Sequence, residues 1–357
     1  MKMETNLWTE YAQIVYEKKQ NKSYYGIDIE AEKLFGETSD DECIEFIFKH
    51  FEKGKKQQAV NYFLKTDSDK EEMKKSHRAQ HMVSLYLLGL AMNPLFDEKI
   101  RTKLKNNIKD MNWYDFRYTW FLTTLYHDLA MYREDLMAPS GDKCDLKGLQ
   151  YSIYKHKMKN GQNFRPRFTE QSIELYRKYR EEGEKADHGI AAGYIMFDEL
   201  CKNYWKTIKG RKGEEIWIEE LLWKEEHLDH FAYIADAVIC HNVWMKYEKD
   251  EEYEKKGLNE FIVNKEKSNR LAIGEFPIQF ALCLLDTIEP VKRFGKDVLK
   301  SISIEPKGNH GMVIKWDNID EEENNFRYWK KNILEMPYWM DVNVQENEMK
   351  HEITIQW

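Results

Sequence analysis

The sequence predicts a mainly α fold: a helical bundle followed by a small α+β appendage at the C-terminus. Three observations carry this. Proline is scarce, with seven among 357 residues. Apolar residues recur at i, i+3, i+4 and i+7 along most of the chain up to about residue 298, the spacing that gives a helix one apolar face. Near residue 300 the apolar period shortens to two, as in strands.

In chain order, the spacing predicts helices over Glu42 to Phe51, Glu72 to Ala91, Trp113 to Tyr132, Thr169 to Arg180, Asp187 to Trp205, Glu219 to Met245 and Phe276 to Phe294. The connecting stretches MAPSGDKCD, KNGQNFRPRF, KGRKG and EKDEEYEKKG read as loops, rich in glycine, proline and charge. In "SISIEPKGNHGMVIKW", Ile302 and Ile304 alternate with polar residues, Pro-Lys-Gly-Asn supplies a turn, and Met312, Ile314 and Trp316 alternate again: a hairpin. The amphipathic FRYWKKNILEM should form a helix ending at Pro337. Val342 and Val344, then Ile353, Ile355 and Trp357, predict a second hairpin. The expected organisation is an N-terminal helical segment over 1–66 packed on the body, a helical domain over 67–298 and the appendage over 299–357.

With 42% hydrophobic residues the chain can bury a large core. Net charge is −8, yet its 55 Lys and Arg residues are spread throughout, so no basic stripe suggests an obligate nucleic-acid partner. The five cysteines are far apart and form no C-x-x-C, as expected of reduced thiols in a cytoplasmic protein. No stretch approaches the roughly 18 uncharged apolar residues of a membrane span, so no membrane association is expected.

Metal-ligating residue types recur within the predicted helices: His81 in "SHRAQHMVSLYLLGL", His127 and Asp128 in "FLTTLYHDLAMYRED", His188 in "KADHGIAAGYIM", His241 in "AYIADAVICHN" and Asp286 in "FALCLLDTIEP". A lone histidine on an apolar face is usually a core residue. An ionised aspartate after Phe-Ala-Leu-Cys-Leu-Leu is costly to bury unless a cation accompanies it. In "DHGIAAG", Gly189 and Gly193 lie on one helix face with almost no bulk, which predicts close helix approach beside His188.

The order H, HD, H, H, D on successive helices, from Lys75 to Arg293, resembles the HD superfamily of metal-dependent phosphohydrolases. The resemblance implies an HD-domain helical bundle in which His81, His127, Asp128 and Asp286 hold one metal. Asp128 would bridge to a second metal held by His188 and His241, making two divalent transition metals per chain drawn from Mn, Fe, Co, Ni or Zn. Imidazole with carboxylate suits those ions. It further implies a phosphomonoesterase or phosphodiesterase acting on a small, nucleotide-like phosphorylated substrate through a metal-bound hydroxide, with His127 and Asp128 at the centre of catalysis.

His77 shares a helix face with His81 and is expected to line the pocket. His227 and His230 are expected at the surface or behind the ligands. Many catalytic members of the family follow HD with Gly-Lys, whereas Met131 stands at the lysine position here. Arg133, Arg165, Arg167, Lys292 and Arg293 are the candidates to supply a phosphate-binding cation. Two alternative functions remain open: an HD-fold diiron oxygenase, and a non-catalytic regulatory module stabilised by metal.

Overall fold

A computed structural model describes residues 6–7, 9–11, 78–108, 111, 114–128, 130–131, 146–159, 166–183, 187–209, 217–218, 221–222, 225–246, 250–263 and 269–357. It is mainly helical, with a four-stranded sheet at the C-terminal end. The expected helix over Glu42 to Phe51 lies outside the described residues. The described residues form two compact units. The first holds those up to 99 and from 263 onward; the second holds those from 100 to 262.

In chain order the principal helices are α1 (Arg78–Ala91), α2 (Asn93–Asn107), α3 (Phe116–His127), α4 (Leu146–Lys159), α5 (Glu170–Glu182), α6 (His188–Ile208), α7 (Glu226–Cys240), α8 (Asp250–Lys255), α9 (Pro277–Ile288), α10 (Val291–Phe294) and α11 (Asn324–Glu335). The segment around 250, expected as a loop, forms the short helix α8. The expected helix over Phe276 to Phe294 is broken into α9 and α10. Glu289 sits before Pro290 with φ −63° and ψ 118°, because a proline ring drives its predecessor out of the helical region.

In the second unit α6 packs along α7, and both pack on α3 and α4. Thr169 and Asp187 cap α5 and α6, each side chain accepting from backbone N–H groups of the first turn. Two glycines set the approach of α6 to α7. A Cβ on Gly193 would stand 2.4 Å from Ile239 Cγ1 and 2.7 Å from the Ala235 carbonyl. On Gly189 it would stand 2.7 Å from the His241 ring. A buried ammonium pins α4, α5 and α7 together: Lys157 Nζ lies 2.8 Å from both Glu170 and Asp236. Burial opposes the charge on Lys157, but the two carboxylates outweigh it and hold its pKa above the usual lysine value.

In the first unit the sheet is antiparallel. Its strands are β1 (Ile302–Pro306), β2 (Gly311–Trp316), β3 (Asn343–Asn347) and β4 (Glu352–Gln356), in spatial order β1-β2-β4-β3. The two expected hairpins are therefore fused: Ile304 pairs with Ile314, and Ile314 with Ile353. Ile302, Ile304, Met312, Ile314, Ile353 and Ile355 are all buried, each worth about 1.5–3 kcal/mol. Gly308 makes the first turn with φ 65°, where a side chain would strain the backbone. Helix α11 buries Phe326, Trp329 and Ile333; Phe326 meets the Trp316 ring, and Trp329 Nε1 donates to the Ile288 carbonyl at 3.1 Å.

Candidate metal centre

The second unit gathers four of the expected ligands at helix termini. His127 is the last residue of α3 and Asp128 its C-cap; His188 opens α6; His241 caps the end of α7. Helices that end beside one another bring such residues together without distorting any ladder. His127, Asp128 and His241 are almost wholly buried, at 0%, 2% and 4% exposure.

Backbone carbonyls orient two of the imidazoles. His127 Nδ1 donates to the Thr124 carbonyl and His241 Nδ1 to the Val238 carbonyl, each at 2.6 Å and three residues back in the same helix. With Nδ1 carrying the proton, Nε2 presents a lone pair, the tautomer a metal needs. Asn242 Nδ2 lies 2.8 Å from His241 Nε2 and 3.0 Å from His188 Nε2, donating to both. Both Nε2 atoms thus face the Asn242 amide, which an ion taking their lone pairs would displace.

The Asp128 carboxylate completes the group. Its Oδ1 lies 3.2 Å from His188 Nε2 and 3.6 Å from His127 Nε2. One ligand atom from each of Asp128, His188 and His241 can be chosen so that all lie within 4.8 Å of one another. A carboxylate oxygen facing imidazole lone pairs is repulsive unless a cation or proton stands between them. This buried set of nitrogen and oxygen donors fits a divalent transition metal.

The other two expected ligands, His81 and Asp286, belong to the first unit. His81 Nε2 lies 3.0 Å from Asp286 Oδ1, while its Nδ1 lies 2.6 Å from Glu289 Oε2. Glu289, 1% exposed, also accepts from the Ser84 hydroxyl, from Val291 N at 2.9 Å and from Lys292 N at 3.1 Å. Burial and the Lys292 charge both oppose protonation of His81, but its bonds to Asp286 and Glu289 prevail, and its pKa is raised. Sequence reasoning missed Glu289. The signal was a carboxylate three residues after Asp286, just before a proline.

Other expectations are modified. Asp286 is partly exposed and has a cation of the chain's own, Lys292 Nζ at 3.1 Å, so its position does not by itself demand a metal. Arg293 stacks over the Tyr328 ring and Arg167 over Phe168, at 4.8 and 4.9 Å. His77, Arg133 and Arg165 lie outside the described residues. His227 and His230 are not at the surface: both are fully buried, and His230 Nε2 lies 2.9 Å from Thr119 Oγ1. Burial, with His227 adjacent, pushes the His230 pKa well below the usual value.

The chain matches no family model, no curated protein and no solved structure. Among the described residues no helix is long and apolar enough to cross a membrane. The His/Asp group is consistent with the HD pattern and with metal binding.

Proposed function

We propose that this protein is a metal-dependent phosphohydrolase of the HD type, acting on a small phosphorylated, nucleotide-like substrate with two divalent transition metals per chain. The observation that carries the reading is the convergence of Asp128 with His188 and His241, which can each offer a ligand atom within 4.8 Å of the others. When bound there, the metal would supply Lewis acidity toward water and phosphate oxygens.

The residues of the chain do the remaining work. His127 and His241 hold their rings through the Thr124 and Val238 carbonyls, so little rotamer freedom is lost when an ion is taken up. Asp128 offers a second carboxylate oxygen beside Oδ1, which suits a bridge between two ions. Burial of His127, Asp128 and His241 strengthens their electrostatics, while the partly exposed His188 stands toward solvent.

The test is metal analysis of protein purified without chelator, followed by hydrolysis of p-nitrophenyl phosphate and bis-p-nitrophenyl phosphate with added Mn, Co, Ni or Fe. Bound transition metal and metal-dependent hydrolysis are expected. Bound iron with dioxygen uptake and no hydrolysis would replace this reading with the oxygenase. Bound metal with neither reaction would leave the regulatory module.

A further inference from the structure

A cavity in the same unit lies at the other end of the α6–α7 pair from the metal centre. It measures about 470 Å³ and is walled by α4, α6 and the first turn of α7. Its α6 wall carries Cys201 and Trp205, 13 and 17 residues beyond His188. At 1.5 Å per residue, that is roughly 20–25 Å along the helix from the metal centre. The volume suits one small organic molecule.

Its lining is specific in charge and shape. Glu225, Glu226 and Asp229 bring three carboxylates, Asp229 bonded to the His156 ring of the same lining, and Lys155 brings one ammonium. The N-terminus of α7 adds about half a positive charge, which three carboxylates outweigh. Helix-dipole compensation accounts for acids in that turn, but not for the aromatic wall beside them. Trp205 is 51% exposed, a large aromatic left in water on a helix whose neighbouring residues Leu200 and Tyr204 are buried. Phe197 packs against the His156 ring at 5.3 Å, and Asp229 holds that ring through Nε2 at 2.8 Å. The floor is therefore made of two rings tilted by 53° to one another. Burial pushes the Cys201 thiol up, so at neutral pH it stays protonated and unreactive. The cavity is equipped to bind, not to form a covalent bond.

We propose that this cavity is a ligand site for a small organic cation, an ammonium or guanidinium on an aliphatic or flat body. The charged group sits among Glu225, Glu226 and Asp229, and the body lies over Trp205. Cation–π attraction and carboxylate pairing act together there. The site stands independently of the phosphohydrolase reading, since it uses none of the metal ligands.

Titration calorimetry of the full chain with agmatine, which carries both an ammonium and a guanidinium, tests it. One saturable site per chain is expected, weakening as salt rises. Trp205→Ala and Glu226→Gln should each weaken binding about tenfold, because each removes one of the two attractions. Lys155→Glu should tighten it several-fold, a gain that damaged folding could not produce. Metal content should be the same in all three variants. Wild-type protein that binds no agmatine at millimolar concentration overturns the proposal. So does agmatine binding that ignores all three substitutions, or a cavity that takes adenosine monophosphate in a Trp205-dependent way while refusing agmatine.

Discussion

Two expected ligands of the second unit, His127 and His241, and one of the first, His81, are oriented by opposite means. In the second, His127 and His241 lean on carbonyls three residues back in their own helices. In the first, His81 is held by Glu289, 208 residues away, which in turn gathers Ser84 and two backbone N–H groups. A local anchor forms whenever its helix forms. A distant anchor exists only after the unit has folded, and removing it strands every donor that relied on it. His127 and His241 should therefore keep their carbonyl anchors when distant residues change, and His81 should not.

The largest expected effect comes from removing the carboxylate that the second unit's imidazoles face. Asp128→Ala should abolish metal-dependent hydrolysis by several orders of magnitude and reduce bound metal, measured by elemental analysis, with the fold retained. Activity and metal content close to wild type would remove the site. Glu289→Ala should be costly in another way. Four donors lose their acceptor in a buried place, so a loss of about 3–5 kcal/mol is expected, read as a large drop in Tm. A loss under about 1 kcal/mol would show that the distant anchor matters no more than a local one.

Next come the glycines of α6, as a matched pair. Gly189→Ala drives a methyl into the His241 ring, so metal affinity should fall about tenfold as well as stability. Gly193→Ala meets Ile239 and the Ala235 carbonyl instead, costing about 1–3 kcal/mol of stability with metal affinity unchanged. Equal effects on metal affinity would mean that helix spacing, not the ring, controls the centre.

The smallest effect is in pH. His230 is buried with its pKa depressed, so the unfolded chain takes up a proton near the usual histidine pKa of about 6.5 while the folded chain resists. The stability His230 gives is fully present above that pH. It falls as pH drops below it, by at most about 1.4 kcal/mol per pH unit. Denaturant unfolding at pH 7 and pH 5 should show the loss, and His230→Leu should flatten it. An unchanged pH slope in His230→Leu would assign the effect to other groups.

What could be read from the sequence followed the range of the interaction involved. The alternating isoleucines announced both hairpins, because period two is a local property; their fusion through Ile314 and Ile353 is a pairing across 39 residues and left no local trace. The small face of "DHGIAAG" correctly foretold close packing beside His188, although not that the neighbour would be the His241 ring itself. The grouping of Asp128, His188 and His241 was anticipated by residue type and order. Asn242, which spans two of those imidazoles, was invisible, since an asparagine after a helix reads as a cap. Glu289 was missed because Pro290 broke a helix expected to run on. For His227 and His230 the residue pattern left a surface position and one behind the ligands both open, and burial removes the first.

Placing ligands at helix termini has a consequence for changes in chain length. Each added residue inside a helix turns everything beyond it by about 100°. An insertion within the last turn of α7 would swing His241 away from Asp128 and His188 and part its ring from the Val238 carbonyl. The same insertion after residue 246, beyond the cap, would leave that angular phase untouched. The centre should thus accept length variation between its helices while forbidding it in the terminal turns that carry its ligands, and grafting onto another scaffold would need three short helix ends rather than the whole unit.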